Sequence, residues 1–245
     1  MNRKNFIQNT LLGIGALITP TNFIWNLLED ISTKELLGKG SPTLYGKNYK
    51  LRQEAYQDFL LMKKAAYQEA GVNIQIVSSY RSFSHQKRIW NRKYNNYLQQ
   101  GLSPTVAIQK IIEYSTIPGT SRHHWGTDID IIDGTPKTPS DLLIAENYNK
   151  NGVFSNLNTW MTNNAHKYNF YVVYTDNPNR KGFKPEPWHF SYAPLSIPYL
   201  QKYKTLDILS ILQKESLIGS EHFSKQFIQE YVFANVLDIN PHLLG

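Results

Sequence analysis

The spacing of apolar and polar residues predicts helices first, followed by strands interleaved with further helices. Apolar residues recur at helical spacing over 52–70, and Gly71 suits the left-handed conformation that often ends a helix. Residues 73–79 alternate and then run apolar, as a strand does. Further helices are predicted over 86–100, 104–114 and 158–169, and further strands over 126–132, 170–174 and 188–192. This order predicts an α+β fold, an antiparallel sheet with flanking helices.

The two ends of the chain differ from this central part. The start is basic at Arg3 and Lys4 and then apolar over 11–18, which is the order of a secretory signal. The apolar run is too short for a mature membrane span, and the alternative is an amphipathic or buried helix. Residues 205–245 predict two or three short helices. The predicted organisation is an export signal or tether (1–30), a central domain (31–204) and a helical extension (205–245).

The chain is basic, with 26 Lys and Arg against 19 Asp and Glu and a net charge of +7. A basic protein favours anionic partners such as nucleic acid, anionic lipid or anionic wall polymer. The charges are dispersed and no base-reading motif is present, so we do not expect nucleic-acid binding. The chain contains no cysteine, which excludes disulfides, thiolate metal sites, a Cys nucleophile and a lipoprotein anchor.

Two histidine-bearing segments are candidates for a metal site. One reads SRHHWGTDID over 121–130 and the other reads EPWH over 186–189. A catalytic zinc ion takes three protein ligands from His and carboxylate groups and leaves one position for water. The strand predicted from residue 126 can carry Asp130 inward to meet His123, and His189 on a second strand can supply the third ligand.

Glu186 lies three residues before His189, close enough to take a proton from a metal-activated water without being a ligand. Each motif alone is short enough to arise by chance. Two neighbours leave the ligand register open: His124 beside His123, and Asp128, which shares a strand face with Asp130. We expect the remaining histidines to be surface residues or hydrogen-bond partners and not metal ligands; they are His85, His166, His222 and His242.

In combination, the motifs resemble those of the VanY-type D-alanyl-D-alanine carboxypeptidases, zinc peptidases related to lysostaphin and the hedgehog amino-terminal domain. The family pattern is S-x-H-x-x-G-x-A-x-D followed downstream by E-x-W-H, with Y-R-S and a Gln upstream. The residues that match it are Ser121, His123, Gly126 and Asp130, then Glu186, Trp188 and His189, with Tyr80-Arg81-Ser82 and Gln86 upstream. The resemblance covers roughly 44–192 and departs at Asp128, where the pattern has Ala.

The resemblance implies a hedgehog/D-Ala-D-Ala peptidase-like fold and a zinc metallopeptidase. His123, Asp130 and His189 would bind Zn²⁺, Glu186 would act as base and later as acid, and Arg81 would stabilise the negative charge on the scissile carbonyl.

The resemblance also implies that Ser121 and Gln86 hold polar groups of the substrate. The implied activity is a D-Ala-D-Ala carboxypeptidase that trims peptidoglycan stem peptides. We expect an exported monomer in the periplasm or cell envelope, on the membrane only through an uncleaved N-terminal segment. The alternatives are an endopeptidase of the same fold and a non-catalytic zinc module. A binding module needs no base, so Glu186 and Arg81 favour the enzyme.

Overall fold

The computed structural model describes residues 31–245, so the export signal predicted over 1–30 lies outside the described residues. The helices are α1 (Thr33–Leu36), α2 (Gln53–Ala70), α3 (Phe83–Gln99), α4 (Pro104–Ile111), α5 (Ser155–Asn164), α6 (Ala193–Tyr203), α7 (Ile208–Gln213) and α8 (Lys225–Tyr231). The strands are β1 (Ile74–Ser78), β2 (Asp128–Asp133), β3 (Phe170–Val172) and β4 (His189–Tyr192). Within 31–245, no helix has the length and apolar character that crossing a membrane requires.

The four strands form one antiparallel sheet in the order β1-β2-β4-β3. This confirms the predicted α+β fold with an antiparallel sheet. In the centre of the sheet, Asp130 on β2 lies directly opposite His189 on β4, and Asp128 lies opposite Ser191. Directly opposed residues in an antiparallel pair present their side chains on the same face. The register therefore collects polar side chains on one face of the two central strands.

The two faces of the sheet differ in chemistry because side chains alternate along each strand. Ile129 and Ile131 of β2 and Phe190 of β4 belong to an apolar cluster with α2 and α5. A second apolar cluster joins α1, α3, α4 and α6 to the C-terminal helices. Its members include Leu36, Trp90, Ile108, Leu200, Leu212 and Ile228. The polar face of the sheet thus lies away from α2 and α5.

Four helices differ from the sequence prediction, and the one predicted over 104–114 ends at Ile111. The helix predicted over 86–100 begins at Phe83, because the Ser82 hydroxyl accepts a hydrogen bond from the His85 N–H and caps the helix. The helix predicted over 158–169 begins at Ser155 and ends at Asn164, where a short 3-10 helix follows. Helix α6 was not predicted at all, since Pro194 and Pro198 disfavour helix in the sequence; the first is tolerated in the opening turn.

The C-terminal helices support the loop that precedes the histidine-bearing segment. The Tyr231 hydroxyl of α8 accepts a hydrogen bond from the Ile117 N–H at 3.1 Å and lies 2.7 Å from the Thr120 hydroxyl. The Tyr203 hydroxyl at the end of α6 donates to the Gly119 carbonyl at 3.0 Å. All of these groups are buried, so the loop over 117–120 is fixed by side chains far along the chain.

Candidate active site

His123 is presented by a short 3-10 helix, Arg122–Trp125, that ends at Gly126. Gly126 has φ +72°, a left-handed conformation that glycine adopts without strain, and the turn leads directly into β2. The Nδ1–H of His123 donates to the Ser79 carbonyl at 2.8 Å. This bond fixes the ring and leaves Nε2 with a free lone pair, 3.4 Å from the Asp130 carboxylate.

His123, Asp130 and His189 come together at one point. One ligand atom from each lies within 4.8 Å of the others, and all three residues are buried. Nε2 of His123 and Oδ1 of Asp130 are buried and have no hydrogen-bond partner within 31–245. Buried polar atoms normally have partners, so these two require a ligand. Two imidazoles and one carboxylate are a donor set that suits catalytic zinc, and the residues therefore fit the metal that the sequence predicted.

Glu186 lies beside this cluster in a tight turn that leads into β4. The His189 N–H donates to the Glu186 carbonyl at 3.0 Å, and the Glu186 carboxylate lies 3.0 Å from Nδ1 of the His189 ring. Burial raises the pKa of Glu186, and its hydrogen bond to His189 opposes the rise. A carboxylate with a raised pKa is suited to accept and return a proton.

Asp128 lies behind His189 and is fully buried. Burial alone would raise its pKa, but the guanidinium of Arg122 and the hydrogen bond from His189 hold the pKa of Asp128 well below its usual range. Burial also lowers the pKa of His189, yet its hydrogen bonds to Asp128 and Glu186 outweigh this and raise it to about 10. Asp128 is not part of the three-residue ligand group, which answers the question of crowding that the sequence left open.

His124 points away from the ligand group. Its Nδ1–H donates to the Arg81 carbonyl at 2.6 Å, and its Nε2 accepts from the Gly119 N–H at 3.1 Å. Both ring nitrogens are thus engaged with backbone groups, and burial lowers the pKa of His124 to about 3. His124 is a neutral structural residue, and the register of the histidine pair places His123 in the ligand group.

Arg81 and Gln86 form a pair at the edge of the cluster. One Arg81 guanidinium N–H donates to the Gln86 side-chain oxygen at 3.0 Å, and the Gln86 amide donates to the Thr116 carbonyl at 2.9 Å. Nε of Arg81 is buried without a partner in the described chain. Gln86 is fully buried behind Arg81, so the geometry makes it a support for the guanidinium, whereas Arg81 itself faces the site.

The three candidate ligands, Glu186 and Arg81 line one cavity of about 490 Å³. Its wall includes Arg81, Ser121, His123, Asp130, Glu186 and His189. Eight buried side-chain atoms within 31–245 lack a hydrogen-bond partner, and six belong to residues of this wall. The six residues are Arg81, Thr116, Ser121, Arg122, His123 and Asp130. Such a concentration of unsatisfied polar atoms around one cavity is expected where a polar ligand binds.

Lys93 is a cavity residue that the sequence interpretation missed. It lies on α3, and its Nζ donates to the Ser115 hydroxyl at 2.6 Å. Burial lowers the pKa of Lys93, the carboxylate of Glu186 opposes this, and Arg81 adds to the lowering. The sequence offered one signal for Lys93. It lies ten residues beyond Phe83, on the helix that starts after Arg81, and on the same side of that helix as Gln86.

Comparison with known proteins gives the relatives of this chain. Residues 48–195 match the VanY family, described as D-alanyl-D-alanine carboxypeptidase. An uncharacterized protein of Haemophilus influenzae is 30% identical over 121 residues, which are 47% of this chain and 92% of that protein. A D-alanyl-D-alanine carboxypeptidase of Enterococcus faecalis is 27% identical over 125 residues, 50% of this chain but only 41% of that protein. The chain thus spans less than half of that named relative.

Two solved structures share the fold. VanYB in complex with D-alanine-D-alanine has a TM-score of 0.52 and 19% identity, over 73% of this chain and 92% of VanYB. A mutant of the vancomycin resistance D,D-pentapeptidase VanY in complex with Zn(II) has a TM-score of 0.50 and 19% identity, over 69% and 88% of the two chains. At this identity the likeness establishes the fold and not the chemistry. The family match, which covers more than half of the chain and includes both histidine-bearing segments, shows that this protein belongs to the VanY family of D-alanyl-D-alanine carboxypeptidases.

Proposed function

We propose that this protein is a zinc-dependent carboxypeptidase that removes the terminal D-Ala from peptidoglycan stem peptides. The observation that carries the proposal is the cavity in which His123, Asp130 and His189 converge beside the buried carboxylate of Glu186. The unsatisfied Nε2 of His123 and Oδ1 of Asp130 support a bound metal ion. The Zn(II) in the related VanY structure supports zinc as the metal.

Zinc supplies the Lewis acid of the reaction and lowers the pKa of water in its vicinity. Glu186 is placed to accept the proton of the attacking water on its carboxylate and to return it to the departing amine. Since burial raises its pKa, the protonated form is accessible as an intermediate. His123 would offer Nε2 to the metal, because its Nδ1–H is bonded to the Ser79 carbonyl.

Arg81 supports the reaction as a fixed cation. Gln86 holds one side of its guanidinium, and Nε of this cavity residue is buried without a partner within 31–245. A donor that is fixed before the reaction stabilises the charge that develops on the scissile carbonyl oxygen more than it stabilises the neutral carbonyl. In this assignment Gln86 positions Arg81, and Ser121, a cavity residue whose buried hydroxyl has no partner in the described part of the chain, contacts the substrate.

The carboxypeptidase reaction, as opposed to an internal cut, is favoured by a second cation in the cavity. A carboxypeptidase must bind the free carboxylate at the end of its substrate, whereas an endopeptidase has no such group to bind. Lys93 lines the cavity and is held by Ser115, so its ammonium is a partner for that carboxylate. If the substrate is peptidoglycan, the protein acts in the cell envelope, and the export signal expected over 1–30 and the expected monomer stay predictions.

The test uses a stem pentapeptide that ends in D-Ala-D-Ala and the same peptide with its terminal carboxylate blocked as an amide. Zinc-loaded enzyme should release free D-Ala from the acid and cleave the amide at least tenfold more slowly. Release of larger fragments, with equal rates on acid and amide, would establish the endopeptidase alternative. Stoichiometric zinc without turnover of either peptide would establish the non-catalytic module.

The variant Lys93→Gln addresses the carboxylate site in the same assay. Because Lys93 binds a group that is charged in the substrate and in the transition state alike, its loss should raise KM for the acid by roughly tenfold or more and leave kcat little changed. The amide should be unaffected by the substitution. Equal effects on both peptides would show that Lys93 does not bind the carboxylate.

A further inference from the structure

We propose that Asp128, balanced by Arg122, is a positioning residue that orients the metal-binding ring of His189. The inference rests on the proposed function only in taking His189 as a metal ligand. Asp128 stands where the family pattern has Ala, so the motif itself assigns it no role. What assigns it one is its set of contacts behind the ligand group.

Asp128 has no exposed surface, and its two oxygens accept four hydrogen bonds from side chains. Oδ2 accepts from Nε2–H of His189 at 2.9 Å and from Nε–H of Arg122 at 3.0 Å. Oδ1 accepts from the hydroxyls of Ser191 at 2.6 Å and Thr127 at 2.8 Å. Each lone pair of the carboxylate is therefore used, and the group is held rigidly in one orientation.

The contact with His189 determines how the imidazole is presented. Nε2–H donates to Asp128, so Nδ1, whose N–H donates to the Glu186 carboxylate at 3.0 Å in this structure, is the nitrogen left for the metal, which would displace that proton. A carboxylate behind a ligating histidine fixes its tautomer and its ring orientation and increases its basicity. The Ser79 carbonyl fixes the His123 ring in the same way, by accepting a hydrogen bond from its Nδ1–H. The two ligand rings stack with their centroids 4.7 Å apart.

Arg122 makes this arrangement possible. A carboxylate buried without a counter-charge is strongly destabilising, and Arg122 supplies the charge from the turn that also carries His123. Its Nη2 donates to the Ser191 hydroxyl at 2.7 Å, and its guanidinium lies over the Trp125 ring at 4.7 Å. The ion pair thus ties the 3-10 helix of one ligand to the strand of another.

Zinc affinity of the folded protein tests the proposal without reference to catalysis. It is measured by competition with a chelator of known affinity, for wild type, Asp128→Ala and Asp128→Asn. Loss of the partner behind a ligating histidine weakens metal binding by roughly 10–100-fold, and we expect this for Asp128→Ala. Asp128→Asn keeps an oxygen that can accept from Nε2–H, so its loss should be clearly smaller. Equal affinity in wild type and Asp128→Ala would overturn the proposal.

The double variant Arg122→Met/Asp128→Ala separates positioning from charge balance. It removes the ion pair as a whole and leaves neither buried charge uncompensated. If Asp128 acts only as the partner of Arg122, the double variant should bind zinc as tightly as wild type. If Asp128 positions His189, zinc binding should stay weakened by tenfold or more although the metal-free protein unfolds at a temperature nearer to that of wild type.

Nitrogen NMR of the histidine rings gives a second readout on the zinc-loaded protein. Wild type should show a slowly exchanging proton on Nε2 of His189, and Asp128→Ala should show faster exchange of that proton. A wild-type protein that binds zinc through Nε2 would overturn the assignment. A protein that hydrolyses no peptide but loses zinc affinity on Asp128→Ala would support this inference while it refutes the proposed peptidase activity.

Discussion

Glu186 is the residue on which the proposed chemistry depends most directly. The variant Glu186→Gln keeps the size of the side chain but cannot accept a proton. We expect zinc to remain bound while kcat falls by about a hundredfold or more, as for loss of a general base. Zinc analysis and D-Ala release, measured on the same preparation, check this.

The control for this experiment is Glu230→Gln, the same exchange at an exposed position of α8. It should have full zinc and full turnover. Near-normal turnover in zinc-loaded Glu186→Gln would remove Glu186 from the mechanism, and loss of zinc would make it a ligand instead.

His124 gives a prediction about stability and pH. The pKa of His124 is lowered to about 3 in the folded protein against an unfolded value near 6.5, chiefly because the ring is buried. Between these values only the unfolded chain takes up the proton, so the free energy of unfolding should fall as the pH drops from about 6.5 toward 3. In metal-free His124→Gln this acid dependence should be weaker, although the variant should be less stable at pH 7 by about 1–3 kcal/mol through lost hydrogen bonds.

Chemical denaturation at several pH values measures this difference. A parallel zinc analysis tests the register of the histidine pair: His124→Gln should retain zinc, and His123→Gln should lose it. The opposite result would mean that the ligand assignment is off by one residue.

At the residue scale, the sequence predicted the residues that converge but not those that support them. His123, Asp130 and His189 could be selected because strand alternation and motif spacing both placed them, and the structure brings them together. The role of Asp128 behind His189 could not be read, since two aspartates at alternate positions of one strand look the same in sequence. Likewise the sequence does not reveal that the Gln86 side chain accepts a hydrogen bond from Arg81, because this contact depends on packing between α3 and the turn after β1.

Among the secondary-structure elements, the turn that joins the 3-10 helix to β2 is the most sensitive. Gly126 has φ +72°, and an added Cβ would lie 2.9 Å from a Leu44 methyl carbon. Gly126→Ala should therefore lose about 1–2 kcal/mol through the left-handed backbone and about 1–3 kcal/mol more through overpacking. Because the turn sets the position of His123 relative to Asp130, zinc affinity should fall as well.

Gly71→Ala is the matched control. Gly71 ends α2 with φ +66°, and nothing lies within 4 Å of an added Cβ. This variant should lose stability through backbone strain alone and bind zinc as wild type does. Thermal unfolding with and without zinc distinguishes the two glycines, and equal zinc affinity in both variants would show that the turn at Gly126 does not set the metal site.

Element boundaries were predicted well where local signals coincide and poorly where they conflict. Helix α2 has helical spacing and a terminal glycine, and the prediction of 52–70 matches the observed Gln53–Ala70. Helix α6 carries two prolines, and it forms because its apolar side packs against the core, which overrides local preference. The prediction of 86–100 missed the first turn of α3 because the Ser82 cap was not considered.

At the scale of the whole molecule, the C-terminal helices and the active-site loop form one packed unit. Tyr231→Phe removes the hydroxyl that holds Ile117 and Thr120, and we expect a loss of about 1–3 kcal/mol because buried groups lose their partners. Since this loop leads into Ser121, KM for the stem peptide should rise too. Denaturant unfolding and steady-state kinetics measure the two effects.

The control is Tyr192→Phe, which removes a hydroxyl bonded to Asp58 on the opposite face of the sheet, at 2.9 Å. It should lower stability without a change in KM. Equal KM in both variants would show that the loop tolerates the loss of its support. The domain boundary predicted at 204/205 stays a prediction. The extension that follows it packs into the same apolar core as α3 and α4.

How the extension would pack could not be predicted from the sequence. Its residues show short helical patterns, but no local pattern specifies which surface those helices cover. Trp90 on α3 donates its indole N–H to the Ile218 carbonyl at 3.0 Å, and Asn235 donates to the Ile112 carbonyl at 3.2 Å. These contacts join positions more than 100 residues apart, where sequence periodicity carries no information.

The support that Tyr231 gives to Ile117 also sets an order in time. The two residues are 114 positions apart, and ribosomes add about 5–20 residues per second, so on the order of ten seconds separates their synthesis. Throughout that interval a nascent chain already contains His123 but has no Tyr231 to fix the loop before it. We therefore expect the loop before His123 to be fixed only after Tyr231 has left the ribosome.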